Sequence, residues 1–489
     1  MGYILTSDVG TTAVKTVLAD EDNNVILSYS SDIDTVFDNH FKEQNPQDWY
    51  MAICSAIKFF STKGISTDKI CACAFSGQMQ DLILVDDKLE PVMNAVLYSD
   101  VRAANEAEEI LSLLGQETVE NITGNHFDGS MPFAKLLWVK KNRPEIYNRA
   151  FKLLISAKDY LTSRLTGICA CDVISSSTSG MMDIIQKKWE QEWLKNCNLN
   201  VGLLPGLLYA DEEVGKVSKI ASEETGLPFG IPVYAGTGDA GASTLASGIT
   251  SYGEYNINLG TTGWVAGISD KLQNVENVFN LAAIPRNLYI NVVPFFNAGN
   301  VHKWISSVLT RDDEQKIKYE YISGLLESSV PGSHELLFLP YICGERFPIS
   351  DPDIKGAYIG ITPETTKQDM VRACLEGVAF SLKNGFNTGI SSISLIGGGA
   401  QNPVWCQIFA DVLNHEIIAF KNADILPSIS VASIARVGMK AIKDYNEFVD
   451  FIKRSSECVK YYPNTDSVKK MNQNYERFIK IYPALKNVK

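Results

Sequence analysis

An aspartate, a glycine and two threonines close the apolar run Tyr3-Ile4-Leu5-Thr6-Ser7 as Asp8-Val9-Gly10-Thr11-Thr12. Half a chain later Tyr255-Asn256-Ile257-Asn258-Leu259 runs into Gly260-Thr261-Thr262-Gly263. Glycine lets the backbone turn sharply and approach a ligand closely, while threonine hydroxyls and successive N–H groups form a concavity that favours anions. One such turn is a common strand ending. The device used twice, after matched strands, points to a polyphosphate held from both sides, and so to ATP chemistry. Only the first copy carries a carboxylate before the glycine, which suits Asp8 to hold a metal ion or its water shell.

These turns need strands to carry them, and the flanking sequence supplies those. The spacing predicts a meander of strands at Tyr3 to Ser7, Val14 to Ala19 and Val25 to Tyr29, then a helix from Pro46 to Phe60 and an apolar strand from Ile70 to Phe75. Residues Ala104 to Leu114, Ala134 to Lys141 and Ala157 to Leu165 read as helices, and Gly230 to Ala235 as a strand entering Gly236-Thr237-Gly238-Asp239. After Ser247-Gly248 the plan repeats. Strands at Gly253 to Leu259 and Trp264 to Ile268 are followed by helices, then by Ile393 to Ile396 leading into Gly397-Gly398-Gly399. The expectation is an α/β protein of two domains, 1–247 and 248–489, packed with a cleft between them.

Composition narrows the partners. The 489 residues are 45% hydrophobic and 21% charged, with 44 Lys and Arg against 57 Asp and Glu, a net charge of −13. That balance argues against nucleic acid and against an anionic membrane surface, both of which need a basic face. No segment has the apolar length of a membrane span and the first residues lack a signal-peptide pattern, so a cytosolic protein is expected. The ten cysteines are scattered through apolar stretches and read as reduced core thiols. Cys71-Ala72-Cys73 and Cys169-Ala170-Cys171 would place both sulfurs on one strand face, at a spacing unlike that of zinc sites.

Several motifs resemble those of the FGGY family of carbohydrate kinases, within the actin-like ATPase superfamily of paired ribonuclease-H-like domains. Ser130-Met131-Pro132-Phe133-Ala134-Lys135-Leu136-Leu137-Trp138-Val139-Lys140-Lys141-Asn142 fits that family's first signature, and bottom-up it is an amphipathic helix opened by a proline. Gly356 to Ile361 and Asp369 to Ala373 match the second signature less fully, with Cys374 a departure. Ser76-Gly77-Gln78-Met79-Gln80 is similar to the sugar loop that reads Ser-Gly-Gln-Met-His in the family's xylulose kinases. Leu97-Tyr98-Ser99-Asp100-Val101-Arg102 resembles their Leu-Trp-x-Asp-x-Arg segment. Gly397-Gly398-Gly399-Ala400-Gln401-Asn402 with Trp405 resembles the adenine and ribose loop. The helix expected after it, rich in Ala and Gly in the family, is only partly of that kind at Ser430 to Gly438.

The resemblance implies an enzyme that moves the γ-phosphate of ATP, with Mg2+, to a sugar hydroxyl; xylulose is the expected acceptor and gluconate, glycerol, ribulose or another polyol the alternatives. Asp239 would be the base; its bland reading is an aspartate satisfying turn amides. Asp8 would position Mg2+ through water. Thr11 and Thr12 after Gly10, and Thr261 and Thr262 after Gly260, would hold phosphate, with Gly398, Gly399 and Asn402 at the nucleoside. Lys15 either adds charge there or is solvated on the second strand. Gln78, Met79, Gln80, Asp100 and Arg102 would line the sugar site, although Asp100 and Arg102 also read as a surface ion pair. A non-enzymatic ATP-dependent switch on the same fold is the rival class. The expected partners are small molecules, ATP and a sugar. The tail from Tyr461 onward either packs or forms a homodimer contact.

Overall fold

A computed structural model describes residues 2–38, 41–310, 319–387, 389–421, 425–454 and 458–488. The chain divides into two compact units, the first formed by Met1–Ala246, Asp270–Ile290 and Ile425–Asp450, the second by Ser247–Ser269, Asn291–Asp424 and Phe451–Lys489.

In the first unit β1 (Tyr3–Val9), β2 (Ala13–Ala19) and β3 (Val25–Asp32) form the expected antiparallel meander. Helix α1 (Pro46–Thr62) starts where Asn45 accepts the Gln47 N–H ahead of Pro46, and it buries Trp49, Ala52, Ile53, Ala56, Ile57 and Phe60 at helical spacing. β4 (Ile70–Gly77) then pairs parallel with β1, placing Ser76 beside Asp8 and Gly77 beside Val9. Helices α2 (Pro132–Asn142) and α3 (Ala157–Thr166) follow. α2 begins at its proline, two residues before the Ala134 start expected from the sequence. Nor is it amphipathic in the way its pattern suggests: Lys135 is buried along with Phe133, Ala134, Leu136 and Leu137.

β5 (Glu213–Lys216), β6 (Pro232–Tyr234) and the two-residue β7 (Thr237–Gly238) complete the sheet, ordered β5-β6-β4-β1-β2-β3 with β7 also on β4. The strand expected over 230–235 is shorter because Gly236 turns the chain at φ 67°. Helix α4 (Asp239–Ala246) leaves β7 directly.

The second unit repeats the hairpin. β8 (Glu254–Leu259) and β9 (Gly263–Ser269) are antiparallel and close on Gly260-Thr261-Thr262. Helices α5 (Gly299–Thr310), α6 (Tyr319–Glu327) and α7 (Lys367–Lys383) precede β10 (Ser392–Ile396), which pairs parallel with β8 as β4 does with β1. Helix α8 (Pro403–Leu413) and β11 (Ile417–Phe420) come next. Then α9 (Leu426–Gly438) belongs to the first unit. Its Val431, Ala432 and Ala435 pack on Ile4, Ala72 and Ala74, on the sheet face opposite Leu5, Cys73 and Phe75. Small residues on that face let the helix lie close, which is why its partly Ala-rich composition suffices.

β12 (Cys458–Tyr461) joins the edge at β11, and α10 (Thr465–Phe478) sets the Phe478 ring 5.4 Å from Phe380. The tail therefore packs within the second unit. All ten cysteines are free. No described helix is long and apolar enough to cross a membrane.

Candidate active site

Three neighbouring strands of the first unit, β1, β4 and β7, run parallel and end together. Cross-strand register sets Asp8 next to Ser76 and Ser76 next to Thr237, so Asp239 emerges one residue beyond the last pair of β7 and β4. The Ser76 hydroxyl donates to Asp8 Oδ1 at 2.8 Å, and Lys15 faces Asp8 across the β1–β2 hairpin. Lost hydration raises the Asp8 pKa, with Ser76 and then Lys15 working against the rise. Asp239 opens to solvent. Its carboxylate nevertheless has protein on several sides: lost hydration first, and the Asp8 charge second, push its pKa up to about 7, while the Ala240 N–H donates to Oδ1 at 2.7 Å and opposes the shift. A carboxyl poised there can take up and release a proton near neutrality.

The Gly-Thr-Thr turn and the sugar-loop motif touch. Thr11 Oγ1 donates to Gln78 Oε1 at 2.9 Å, and Gln78 Nε2 donates to Gln44 Oε1 at 3.1 Å. The Gln44 amide in turn donates to Thr11 O at 2.6 Å and receives the Trp49 indole N–H at 3.1 Å. Gln44 had no sequence signal; a lone glutamine before a helix start looks like any other. Gly10 closes the turn through its N–H to Ala13 O, and the exposed Thr12 keeps its carbonyl on Ile33 N–H. Met79 is buried against Gly238, where an added Cβ would stand 2.2 Å from its sulfur. The absent side chain brings the sugar loop onto the strand that presents Asp239.

Gln80 sits at φ 64° and donates its amide to Ser130 Oγ at 2.7 Å, so the first residue of the signature helix region holds it. Below it the buried Lys135 ammonium donates to Gln80 O at 3.1 Å and to Leu97 O at 2.8 Å. Both sugar-loop segments are thus tied to one cation. Beside it Asp81 is fully buried and accepts the Tyr98 N–H at 2.9 Å. Burial drives Asp81 and Lys135 each toward the neutral form, and the charge of each restrains the other. The signature had marked Lys135 only as part of a helix.

Asp100 and Arg102 form an ion pair, and it is internal. Arg102 Nε and Nη2 meet Asp100 Oδ1 and Oδ2 at 2.9 and 2.7 Å, Nη1 lies 2.8 Å from Glu43 Oε1, and the guanidinium stacks 3.9 Å from the Phe41 ring centroid and 5.1 Å from that of Trp138. Its side chain is 1% exposed. A guanidinium so enclosed braces the loop, and it has little left to offer a ligand.

In the second unit a cavity of 580 Å³ brings together Gly260 and Thr261 with Gly398, Gly399 and Asn402. Glycine is required where the loops meet: Gly397 has φ 89° and a Cβ there would lie 2.7 Å from Leu259 O, and one on Gly399 would lie 2.6 Å from Leu259 Cβ. The second turn also launches α5, since Gly260 O and Thr261 O accept the N–H groups of Gly299 and Asn300 at 2.9 Å. Thr262 is exposed at the turn and does not line the cavity. The Asn402 side chain caps α8 by accepting the Trp405 N–H at 3.1 Å. His302 and Lys303 of α5 and Tyr319 of α6 complete the wall. Sequence spacing did not reveal them, because helix faces only become neighbours through packing.

Profiles of the FGGY family of carbohydrate kinases match residues 3–246 with the N-terminal domain and 255–429 with the C-terminal domain. A xylulose kinase of Lactococcus lactis subsp. lactis is 30% identical over 99% of this chain and 97% of its own length. Among solved structures, a ligand-bound xylulose kinase from Lactobacillus acidophilus superposes with TM-score 0.86 at 25% identity, covering 100% of this chain and 99% of its own. A gluconate kinase from the same organism gives TM-score 0.86 at 25% identity over 99% and 98%.

Proposed function

The chain belongs to the FGGY family of carbohydrate kinases, and on that footing we propose that it transfers the γ-phosphate of ATP to a hydroxyl of xylulose, giving xylulose 5-phosphate. Phosphoryl transfer asks the protein mainly to position the reactants, spread the charge and accept the hydroxyl proton. Asp239 takes that proton as the sugar oxygen attacks the γ-phosphorus and the bond to ADP breaks. Gln78, Met79 and Gln80 line the sugar; Asp100 and Arg102 hold the shape of that loop from behind. The Thr12 hydroxyl and the backbone N–H groups of Thr11 and Thr12 donate to the transferred phosphate, the Thr11 hydroxyl being held on Gln78, and Lys15 contributes charge beside Asp8. The cavity behind Gly260 and Thr261, floored by Gly398 and Gly399 with Asn402 at its edge, takes the nucleotide, and the exposed Thr262 at the tip of the turn reaches its phosphates.

The residues suit a water-held Mg2+. Mg2+ keeps several waters and leans on one or two carboxylates plus substrate phosphates. Among the described residues no group of three His, Cys, Asp or Glu could cage a metal, whereas the Asp8 charge lies close enough to Asp239 to raise the cost of ionising it. Bound there, the ion would supply charge neutralisation at the phosphates, and Asp8, oriented by Ser76, would hold it through water.

The engagement of Arg102 carries the choice of a neutral sugar over gluconate. It is the one basic residue in the two sugar-loop motifs, and both edges of its guanidinium are spent on Asp100 and Glu43. A carboxylate substrate would have to displace a bidentate partner. The test is kcat/KM for xylulose, ribulose, glycerol and gluconate, read as sugar-dependent ADP release. Xylulose is expected to lead. A lead for gluconate would overturn the assignment and leave the kinase in place; ADP release independent of any sugar would favour the switch class instead.

Gln80→His gives a finer reading of the same panel. An amide and an imidazole both hydrogen-bond a hydroxyl, so the preference between related sugars is expected to move by no more than about 1–3 kcal/mol, the scale of one such bond in a discriminating site. Loss of activity on every sugar would instead mean that the Ser130 contact, and not sugar recognition, is what Gln80 provides.

A further inference from the structure

Four consecutive residues of the second unit, Gly332 to Glu335, take left-handed backbone conformations, with φ of 85°, 50°, 47° and 67°. Glycine does so freely, but Ser333, His334 and Glu335 each press a Cβ toward the following carbonyl. Such a run persists only where its surroundings over-determine it. The buried Glu376 of α7 accepts the Gly332 N–H at 2.9 Å and the Ser333 hydroxyl at 3.1 Å, and Arg372 Nε holds that carboxylate at 2.7 Å. Asn474 Nδ2 of α10 donates to Gly332 O at 3.1 Å. His334 Nδ1 lies 2.8 Å from Oδ1 of Asp369, itself buried, while 70% of the imidazole stays exposed.

Glycines at 334 and 335 would make the same turn without strain. What the present residues add is side chains at the mouth of a cavity of 540 Å³. Its other wall is one face of α10, where Lys470, Gln473, Asn474 and Arg477 recur at i, i+3, i+4 and i+7. Arg477 has a single ion-pair contact there, Nη1 to Glu335 Oε2 at 3.6 Å, and that carboxylate is 84% exposed, so the pairing is weak. A guanidinium, an ammonium and an oriented imidazole thus converge on one cavity, with Glu335 the one carboxylate among its described lining residues, in a chain of net charge −13. The nucleotide cavity shares no lining residue with it.

We propose that this cavity binds the phosphate group of a small phosphate monoester, with Arg477 and Lys470 on its oxygens and the His334 ring edge as a third contact. A planar guanidinium fork and a point-charge ammonium both suit a tetrahedral phosphate, and a third donor distinguishes its three free oxygens from the two of a carboxylate. The class includes products of sugar kinases. The site itself does not depend on which sugar is phosphorylated.

Calorimetric titration of the full chain, with xylulose and a non-hydrolysable ATP analogue saturating, tests this using inorganic phosphate, glucose 6-phosphate and succinate as probes. Wild type is expected to bind the two phosphates and to bind succinate about tenfold less tightly. Lys470→Gln combined with Arg477→Gln should weaken phosphate binding about tenfold or more and leave sugar-dependent ADP release without probe unchanged. His334→Gly separates function from folding: relief of the left-handed strain should raise the urea midpoint while phosphate affinity falls. Absence of phosphate binding in wild type, equal binding of succinate, or unchanged affinity in the double variant or in His334→Gly would each overturn the proposal.

Discussion

Asp239→Asn is expected to fold as wild type and to lose about 10²- to 10⁴-fold in turnover, the range typical of a missing general base. Folding should survive because the side chain's one hydrogen bond, from the Ala240 N–H to Oδ1, is equally available to an asparagine carbonyl. Binding should survive because the change is nearly isosteric. Single-turnover phosphoryl transfer at saturating ATP and xylulose measures the loss. The pH profile adds a second signature, and its sign follows from the direction of the shift. Asp239 has a pKa raised to about 7 by lost hydration and the Asp8 charge. A base must be unprotonated to act, so kcat/KM for wild type should fall as pH drops through about 7 and level off above it. In the variant that limb should vanish. Near wild-type turnover in Asp239→Asn would remove Asp239 from the base role and return it to the bland reading of an aspartate in a glycine-rich turn.

Gly236→Ala should unfold far more easily than a superficially similar change, Gly230→Ala. Both glycines have positive φ, 67° and 83°. At Gly230 an added Cβ meets nothing within 4 Å, so only the backbone cost of about 1–2 kcal/mol applies. At Gly236 the Cβ would stand 2.0 Å from Phe75 O, a backbone atom of the central strand β4 that cannot step aside. Overpacking of that kind adds about 1–3 kcal/mol to the backbone cost. Urea unfolding midpoints of the two variants and wild type decide the matter. Equal destabilisation by both changes would mean that β4 yields locally and that the close approach matters little. Gly236 also lies three residues before Asp239, so the displaced strand end should lower turnover in whatever fraction stays folded.

The elements were legible wherever a short stretch carries its own pattern. Val14 to Ala19 is a second apolar run after Tyr3 to Ser7, and a glycine with two threonines between apolar runs can hardly be other than a hairpin turn, so both β1–β2 and β8–β9 could be placed from the chain alone. The helix 46–62 announced its start by Pro46 and its buried face by spacing, and the structure adds the Asn45 cap. The family resemblance rested on the same kind of local motif, which is why it singled out Asp8, Asp239 and the glycines at 397–399 as candidates.

Other features came only with packing. Asp100 and Arg102 look the same in sequence whether they line a sugar or brace a loop. Glu43, Phe41 and Trp138, distant in the chain, enclose the guanidinium, and that enclosure favours the bracing role we propose. Lys135 read as one cation on an amphipathic helix, yet long-range contacts bury it under two carbonyls from separate loops. Helix 426–438 follows the Gly397 to Asn402 loop in sequence but lies on the first unit's sheet, because Ala72 and Ala74 leave room for it there. The physical reason is common to all three. Hydrogen-bonded turns and amphipathic periods are set by neighbours along the chain, whereas the charge state, exposure and partner of a side chain are set by whichever distant groups the closed core presses against it.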